Sequence, residues 1–115
     1  MLNQSIIKNL DKGLCAVQLL TSDGTPGNVL FLGGNSGGSM DSMKKVEMYD
    51  INTNTITDHS TMNFAHSLAT CTIFLSPKHE GRPVVYVGGG EFTTDYKNEL
   101  LDYTMTTTWE EREYF

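Results

Sequence analysis

Glycines dominate the first stretch of the chain whose composition suggests chemistry. Residues 33–39 read Gly-Gly-Asn-Ser-Gly-Gly-Ser, a composition found in loops that cradle phosphate groups. No Gly-Lys-Ser/Thr follows this stretch, and the next element has the pattern of a strand instead of a helix whose N-terminus could bind phosphate. We therefore expect a flexible connector here, with no nucleotide and no other cofactor bound.

Histidines and carboxylates are the other side chains with catalytic or metal-binding chemistry. His59, His66 and His79 are not accompanied by a cysteine pair or a His-Glu-x-x-His pattern, so no metal site is predicted. Carboxylates at turns and strand ends ordinarily cap backbone amides or stay solvated, and no catalytic residue is predicted among them. Five carboxylates have such positions: Asp41, Asp50, Asp95, Glu99 and Asp102.

The two cysteines are expected to be structural. Cys15 and Cys71 are far apart in the sequence and lie inside apolar stretches. An unpaired cysteine in such a stretch usually behaves as a small buried hydrophobe. We therefore predict two free thiols in the core.

Composition places the chain among soluble globular domains. It has 115 residues, of which 38% are hydrophobic and 19% charged, and a formal net charge of −6. The acidic balance leaves no basic surface for phosphate neutralisation, so nucleic acid is not an expected partner. The longest apolar runs have only the length of a strand, which predicts no membrane span. The first residues lack the basic and apolar regions of a secretory signal, which predicts a cytoplasmic protein.

An internal repeat organises the whole chain. Residues 29–34 (VLFLGG) recur as residues 84–89 (VVYVGG), and Tyr49 recurs as Tyr103, at spacings of 88 − 33 = 55 and 103 − 49 = 54. Each unit contains four short apolar runs bounded by Gly, Asn, Asp, Ser or Pro, which is typical of strands. The predicted strands are 14–20, 29–32, 45–49 and 54–59 in the first unit, and 68–75, 83–87, 98–103 and 107–114 in the second. Each unit is predicted to be an antiparallel meander, with residues 1–60 forming the first and 61–115 the second.

These landmarks resemble the kelch repeat of β-propellers. A glycine pair at the end of the second strand, an aromatic residue on the third and a tryptophan on the fourth carry the resemblance. The matching residues are Gly33, Gly34, Tyr49, Gly88, Gly89, Tyr103 and Trp109. Ile56 stands where the first unit would have its tryptophan. The resemblance implies an all-β fold of two four-stranded propeller blades, with the aromatic side chains packed between them.

Two blades cannot close a ring, because known propellers use about four to eight. The chain is therefore expected to be a fragment of a longer protein or a unit that self-assembles into a closed propeller.

Kelch-like propellers commonly bind a protein partner through the loops at one end of the ring, so the resemblance implies a non-catalytic interaction module. The connectors between the second and third strands and between the two units would share that end. The candidate contact residues are Asn35, Ser36, Asp41, Asn63, His66, Glu91, Phe92, Asp95 and Tyr96. Within the family, a cytoskeletal protein or a substrate of a ubiquitin ligase is the implied partner. The alternative is a fragment of a galactose oxidase-like copper or carbohydrate-active enzyme, for which no ligand can be placed in this chain.

Overall fold

The computed structural model describes residues 13–34, 43–90 and 97–112, which form eight strands and one turn of 3₁₀ helix. The strands are β1 (Cys15–Leu20), β2 (Pro26–Leu32), β3 (Lys45–Asp50), β4 (Thr55–Thr61), β5 (Thr70–Ser76), β6 (Arg82–Gly88), β7 (Asn98–Leu101) and β8 (Glu110–Arg112). The helical turn, Pro77–His79, begins with a proline, whose fixed φ and missing N–H suit a first helical position.

The strands form two four-stranded antiparallel sheets, and each sheet is a simple meander. Their orders are β1-β2-β3-β4 and β5-β6-β7-β8. The predictions of an all-β fold, of eight strands and of two meanders are confirmed. The short alternating runs of valine, leucine, isoleucine and threonine explain this choice, because branched side chains fit a pleated surface that is buried on one side.

Several strand boundaries differ from the prediction by one to three residues. β2 begins at Pro26, earlier than expected, because Pro26 pairs with Leu20 of β1. β7 ends at Leu101, since the carbonyl of Asp102 accepts hydrogen bonds from the amides of Met105 and Thr106 at 2.9 and 3.1 Å and turns the chain. Tyr103 therefore lies in a turn, and β8 begins only at Glu110.

The core lies between the two sheets. β1 and β2 contribute Val17, Leu19, Leu30 and Leu32, and β3 adds Val46. The second sheet contributes Val85, Val87, Leu101 and Trp109. Successive side chains of a strand point to opposite faces, so these alternate residues mark the face that each sheet turns toward the other. We call this contact the sheet interface.

A disulfide joins Cys15 of β1 to Cys71 of β5, with 6.1 Å between their Cα atoms. The prediction of two free thiols is therefore wrong. The first strands of the two sheets pack side by side, which brings cysteines that are 56 residues apart in sequence within bonding distance. Sequence separation alone contained no sign of this neighbourhood.

The described part of the chain contains no helix with the length and apolar character needed to cross a membrane.

Candidate functional site

The connectors at one end of the two sheets converge on His66, which lies in the β4–β5 connector. The carbonyl of His66 accepts a hydrogen bond from the amide of Gly34 at 3.0 Å, and its own amide donates to the carbonyl of Met43 at 2.9 Å. The amide of Met62 donates to the carbonyl of Lys44 at 2.8 Å. The β4–β5 connector is thus bonded to both ends of the β2–β3 connector.

The side chain of His66 extends this arrangement to the second sheet. Its Nε2 atom lies 2.8 Å from Oε2 of Glu99 on β7, and its Nδ1 atom lies 3.3 Å from the carbonyl oxygen of Gly89. The exposed fractions of His66 and Glu99 are 1% and 0%. One residue therefore links the loop ends of both sheets from the interior.

Glu99 also receives two backbone hydrogen bonds. The amide of Asn63 donates to its Oε1 atom at 2.7 Å, and the amide of Phe64 donates to its Oε2 atom at 3.1 Å. A carboxylate whose two oxygens both accept hydrogen bonds can be buried without leaving a polar atom unpaired. The carboxylate therefore caps the β4–β5 connector, the role expected of carboxylates near turns, although it lies inside the core.

The hydrogen-bond pattern constrains the protons of the pair. A carbonyl oxygen only accepts, so the Nδ1 atom of His66 carries a proton toward Gly89. The contact between Nε2 of His66 and Oε2 of Glu99 is made by one proton that lies between the two atoms. We call His66, Glu99 and their backbone partners at residues 63, 64 and 89 the His66 cluster.

Trp109 and Asn63 bind the same connector to the strands around it. The Nδ2 atom of Asn63 donates to the carbonyl of Trp109 at 2.9 Å, and the indole Nε1 atom of Trp109 donates to Oγ of Ser60 at 3.0 Å. The ammonium of Lys97 lies 5.4 Å from the ring centroid of Phe64, within the range of a cation–π contact. These contacts leave the connector little freedom between the two sheets.

Glycines make room for the connector at both sheets. Gly33 and Gly34 have φ values of 69° and 92°, and Gly89 and Gly90 have 69° and 95°. A Cβ on Gly33 would collide with the carbonyl oxygen of His66, and one on Gly90 would lie 2.5 Å from that of Ser67. The structural counterpart of Gly33-Gly34 is therefore Gly89-Gly90, one residue later than the sequence match, and Gly88 is instead the last residue of β6.

This offset changes which residues of the second sheet are the structural counterparts of the aromatic residues in the first. Leu32 and Gly88 each precede a glycine pair with positive φ, and they face Val46 and Asn98 on the next strands. Tyr49 lies three residues after Val46 on β3, and Leu101 lies three residues after Asn98 on β7, so Leu101 is the structural counterpart of Tyr49. The next residues, Asp50 and Asp102, are counterparts in the same way. Tyr103 lies two residues further on and has no aromatic counterpart. The correspondence of Tyr49 with Tyr103 is thus a sequence match and not a structural one.

The tryptophan position matches as expected from the sequence. Met48 faces Thr57 and Leu100 faces Glu110, so Thr57 and Glu110 are counterparts, and Ile56 corresponds to Trp109. Trp109 and Tyr103 both bind the first sheet. The indole of Trp109 donates to Oγ of Ser60. The Tyr103 hydroxyl donates to the carbonyl of Leu20 at 2.8 Å and accepts from its amide at 3.0 Å. These two aromatic residues pack against the core between the sheets.

Two of the predicted contact residues belong to the described part of the chain, and they differ in burial. Asn63 is exposed in the β4–β5 connector, whereas His66 is buried and takes a structural position instead of a contact position. Glu99 was expected to be an ordinary capping or solvated carboxylate, and its complete burial on β7 marks the site that sequence reasoning missed. The other predicted contact residues lie outside the described residues: Asn35, Ser36, Asp41, Glu91, Phe92, Asp95 and Tyr96.

Several titratable groups away from the His66 cluster have pKa values that depart from their ordinary ones. Burial lowers the pKa of His59, whose Nδ1 atom lies 2.9 Å from Oγ of Ser60. Burial raises the pKa of Tyr103, and its hydrogen bond to the Leu20 backbone opposes this only in part. At the other end of the second sheet, hydrogen bonding to Asp102 raises the pKa of Arg82.

Within the ranges 13–34, 43–90 and 97–112, the His, Cys, Asp and Glu side chains form no group of three or more that could hold a metal ion. The His66 cluster has the chemistry of a buried, fully hydrogen-bonded support for loops. No protein-family model matches the chain, and no curated protein matches its sequence. The geometry of this loop end is therefore the basis for assigning a function.

Proposed function

We propose that this chain is a pair of kelch-like β-propeller blades that acts as a non-catalytic protein-interaction module, binding a partner through the loops around the His66 cluster. The observation that carries the proposal is that one buried residue, His66, bonds to the ends of the β2–β3 connector and to Gly89 at the end of β6. Binding loops are effective when a rigid scaffold holds their bases, because less conformational entropy is lost when a partner binds.

The way in which the two sheets stack supports the propeller part of the proposal. The first sheet turns Leu30 and Leu32 toward the interface. Their counterparts, 56 residues later, are Tyr86 and Gly88, but the second sheet turns Val85 and Val87 toward the interface instead. The sheets therefore meet through opposite faces. Successive blades around a ring have this relationship, whereas two sheets related by a two-fold axis would meet through the same face.

The chemistry of the partner follows from the charge of the chain. A net charge of −6 favours a partner surface with basic and polar groups, since like charges across an interface are unfavourable. Phe92 and Tyr96 are aromatic, a residue type that is enriched at protein interfaces, and Asn63 is an exposed polar residue of the β4–β5 connector.

The disulfide favours one class of cellular compartment for the protein. Stable disulfides are typical of oxidising compartments and are rare in the cytoplasm. The Cys15–Cys71 bond therefore favours a secreted or compartment-enclosed protein over the cytoplasmic location expected from the first residues.

Site-specific photo-crosslinking tests the proposed function. A photoreactive amino acid is placed at position 92 or 96, and at position 105 as the control, and each protein is exposed to an extract of the source cells. Met105 lies in the turn between β7 and β8, at the end away from His66. The loop positions are expected to crosslink to one common protein that position 105 does not reach.

The captured protein is then purified and its affinity measured. Phe92→Ala with Tyr96→Ala should weaken binding by about tenfold or more, the effect of truncating aromatic contacts in an interface. Met105→Ala should leave affinity unchanged. Equal crosslinking from both ends, or an affinity indifferent to the loop substitutions, would refute loop-mediated binding.

A further inference from the structure

A cavity opens on the outer face of the second sheet, the face turned away from the sheet interface. Ile73 and Leu101 pack at the interface. Their neighbours Phe74 and Leu100 therefore point outward, because successive side chains of a strand alternate between its faces. Phe74, Leu100 and Pro77 of the 3₁₀ turn form the apolar wall of the cavity. Its volume is about 220 Å³, larger than an engineered cavity of about 150 Å³ that holds benzene.

The rim of this cavity is basic. Among the described residues, the charged side chains that line it are Lys78, His79 and Arg112. The whole chain has 14 acidic residues and only 8 lysines and arginines, so this is a local excess of positive charge. Lys78 is exposed and forms no ion pair with any described residue. Arg112 donates one hydrogen bond within the described part of the chain, to Glu110 at 3.0 Å, and its guanidinium carries five N–H donors. Both residues can therefore bind an anionic group.

Hydrogen bonds hold this rim in place before any ligand binds. Oγ of Ser76 lies 2.7 Å from Nδ1 of His79, and Nε2 of His79 lies 2.7 Å from Oε1 of Glu110. The same oxygen of Glu110 accepts the hydrogen bond from Arg112. The 3₁₀ turn is thus joined to β8 across the cavity. A site whose shape exists before binding loses less conformational entropy when its ligand enters.

The charges on this face favour a small ligand over another sheet as the occupant. Arg82, Glu110 and Arg112 lie on the same face as Ser76 and Leu100. A sheet packed here would bury all three charges, whereas the cores of protein interfaces are depleted of charged residues. A molecule with one ring and one anionic group would instead leave these charges at the rim.

We propose that the cavity binds a small aromatic carboxylate, with its ring against Phe74, Pro77 and Leu100 and its carboxylate on Arg112. A guanidinium binds a carboxylate through two parallel N–H···O hydrogen bonds. Aromatic rings pack favourably in offset or edge-to-face arrangements, which the ring of Phe74 can provide. Lys78 adds a second positive charge at the rim. The site is separate from the loops around the His66 cluster, so it goes beyond the proposed function and does not depend on it.

An NMR titration of the wild-type chain with benzoate tests the proposal. The amide signals of residues 76–79, 100 and 112 should shift, and those of residues 45–48 on β3 should not. A dissociation constant on the order of 1 mM is expected for a ligand of this size. Benzamide has the same shape without the charge, and acetate has the charge without the ring. Each should bind at least about tenfold more weakly than benzoate.

Two pairs of variants assign the binding to this cavity. Arg112→Gln should weaken benzoate binding by about tenfold or more, because it removes the charge-assisted hydrogen bonds. Its matched control is Lys45→Gln, which removes a positive charge from the first sheet. Phe74→Ala should also weaken binding, whereas Leu75→Ala removes an exposed side chain from the opposite face of the same strand and should not.

Circular dichroism verifies that all four variants are folded. Three results would each overturn the proposal: no shifts at the cavity with up to about 10 mM benzoate, equal affinities for benzoate and benzamide, or benzoate binding that is unchanged by both Arg112→Gln and Phe74→Ala.

Discussion

The Nε2 atom of His66 lies 2.8 Å from Oε2 of Glu99 in the interior of the protein. A buried polar pair of this kind is stable only when its remaining hydrogen-bonding groups are also satisfied. Here Asn63, Phe64 and Gly89 supply those partners. No side-chain nitrogen or oxygen buried within the described residues lacks a partner. The pair therefore fixes the β4–β5 connector in one position between the sheets.

Replacing one carboxylate oxygen of Glu99 is expected to be destabilising. Glu99→Gln keeps the shape of the side chain but turns one accepting oxygen into an amide donor that faces the backbone N–H of Asn63 or Phe64, which should lower the free energy of unfolding by about 1–3 kcal/mol. Urea denaturation followed by circular dichroism measures the loss.

Glu111→Gln is the matched control for Glu99→Gln. Glu111 directly faces Glu99 across β7 and β8, but it pairs with Lys97 at the surface, where ion pairs contribute only about 0–1 kcal/mol. If the two substitutions had equal effects, the hydrogen bonds to the Glu99 carboxylate would not be what holds the connector.

Alkaline pH should weaken the contact between Tyr103 and Leu20. Burial raises the pKa of Tyr103 above its ordinary value of 10.0, so the folded state binds this proton more tightly than the unfolded state does. The stabilisation is therefore fully present below pH 10.0 and is lost as pH rises through the raised pKa. Urea midpoints measured from about pH 8 to about pH 11 follow this loss.

The Tyr103→Phe variant isolates that contribution. It removes the hydroxyl and should cost about 1 kcal/mol at neutral pH, because the backbone groups of Leu20 lose their partner. Its stability should then fall less steeply than that of the wild type over the alkaline range. Parallel pH profiles for the two proteins would exclude Tyr103 as the titrating group.

The fold could be predicted from the sequence because the local patterns agree with each other. Alternating branched residues identified strands, and turn residues separated them, so both meanders were placed correctly. The boundary at Tyr103 was missed because the turn depends on hydrogen bonds to the Asp102 carbonyl, which composition does not encode. The one-residue offset between Gly88 and Gly89 was missed because three glycines follow Val87 and only backbone φ identifies the structural pair.

The candidate site could be predicted only in outline. Strand order alone placed the β4–β5 connector beside the β2–β3 connector, and Asn63 and His66 were correctly assigned to that end. The pairing of His66 with Glu99 crosses 33 residues and depends on two sheets stacking, so no local pattern contains it. The Cys15–Cys71 bond escaped prediction for the same reason, since both long-range contacts follow from the sheet interface.

The close approach of Gly33 to the β4–β5 connector gives another prediction. Gly33→Ala introduces a Cβ that collides with the His66 carbonyl, in addition to the strain of a φ of 69°. Gly24→Ala is the control, because its φ of 84° is equally unfavourable but no atom lies within 4 Å of the new Cβ. Gly24→Ala should cost about 1–2 kcal/mol in unfolding free energy, and Gly33→Ala clearly more. Equal thermal midpoints for the two variants would contradict the close contact.

Reduction of the Cys15–Cys71 disulfide should lower stability by about 4 kcal/mol, because the bond closes a long loop and restricts the unfolded chain. Urea unfolding with and without reductant measures this difference. The double variant Cys15→Ser/Cys71→Ser should match the reduced wild type and should not respond to reductant. Mass spectrometry after alkylation without reduction provides the direct check, and two alkylated thiols in the folded, air-oxidised protein would show that the cysteines are not joined. Because the bond connects the first strands of both sheets, its loss should also make the sheet interface easier to open.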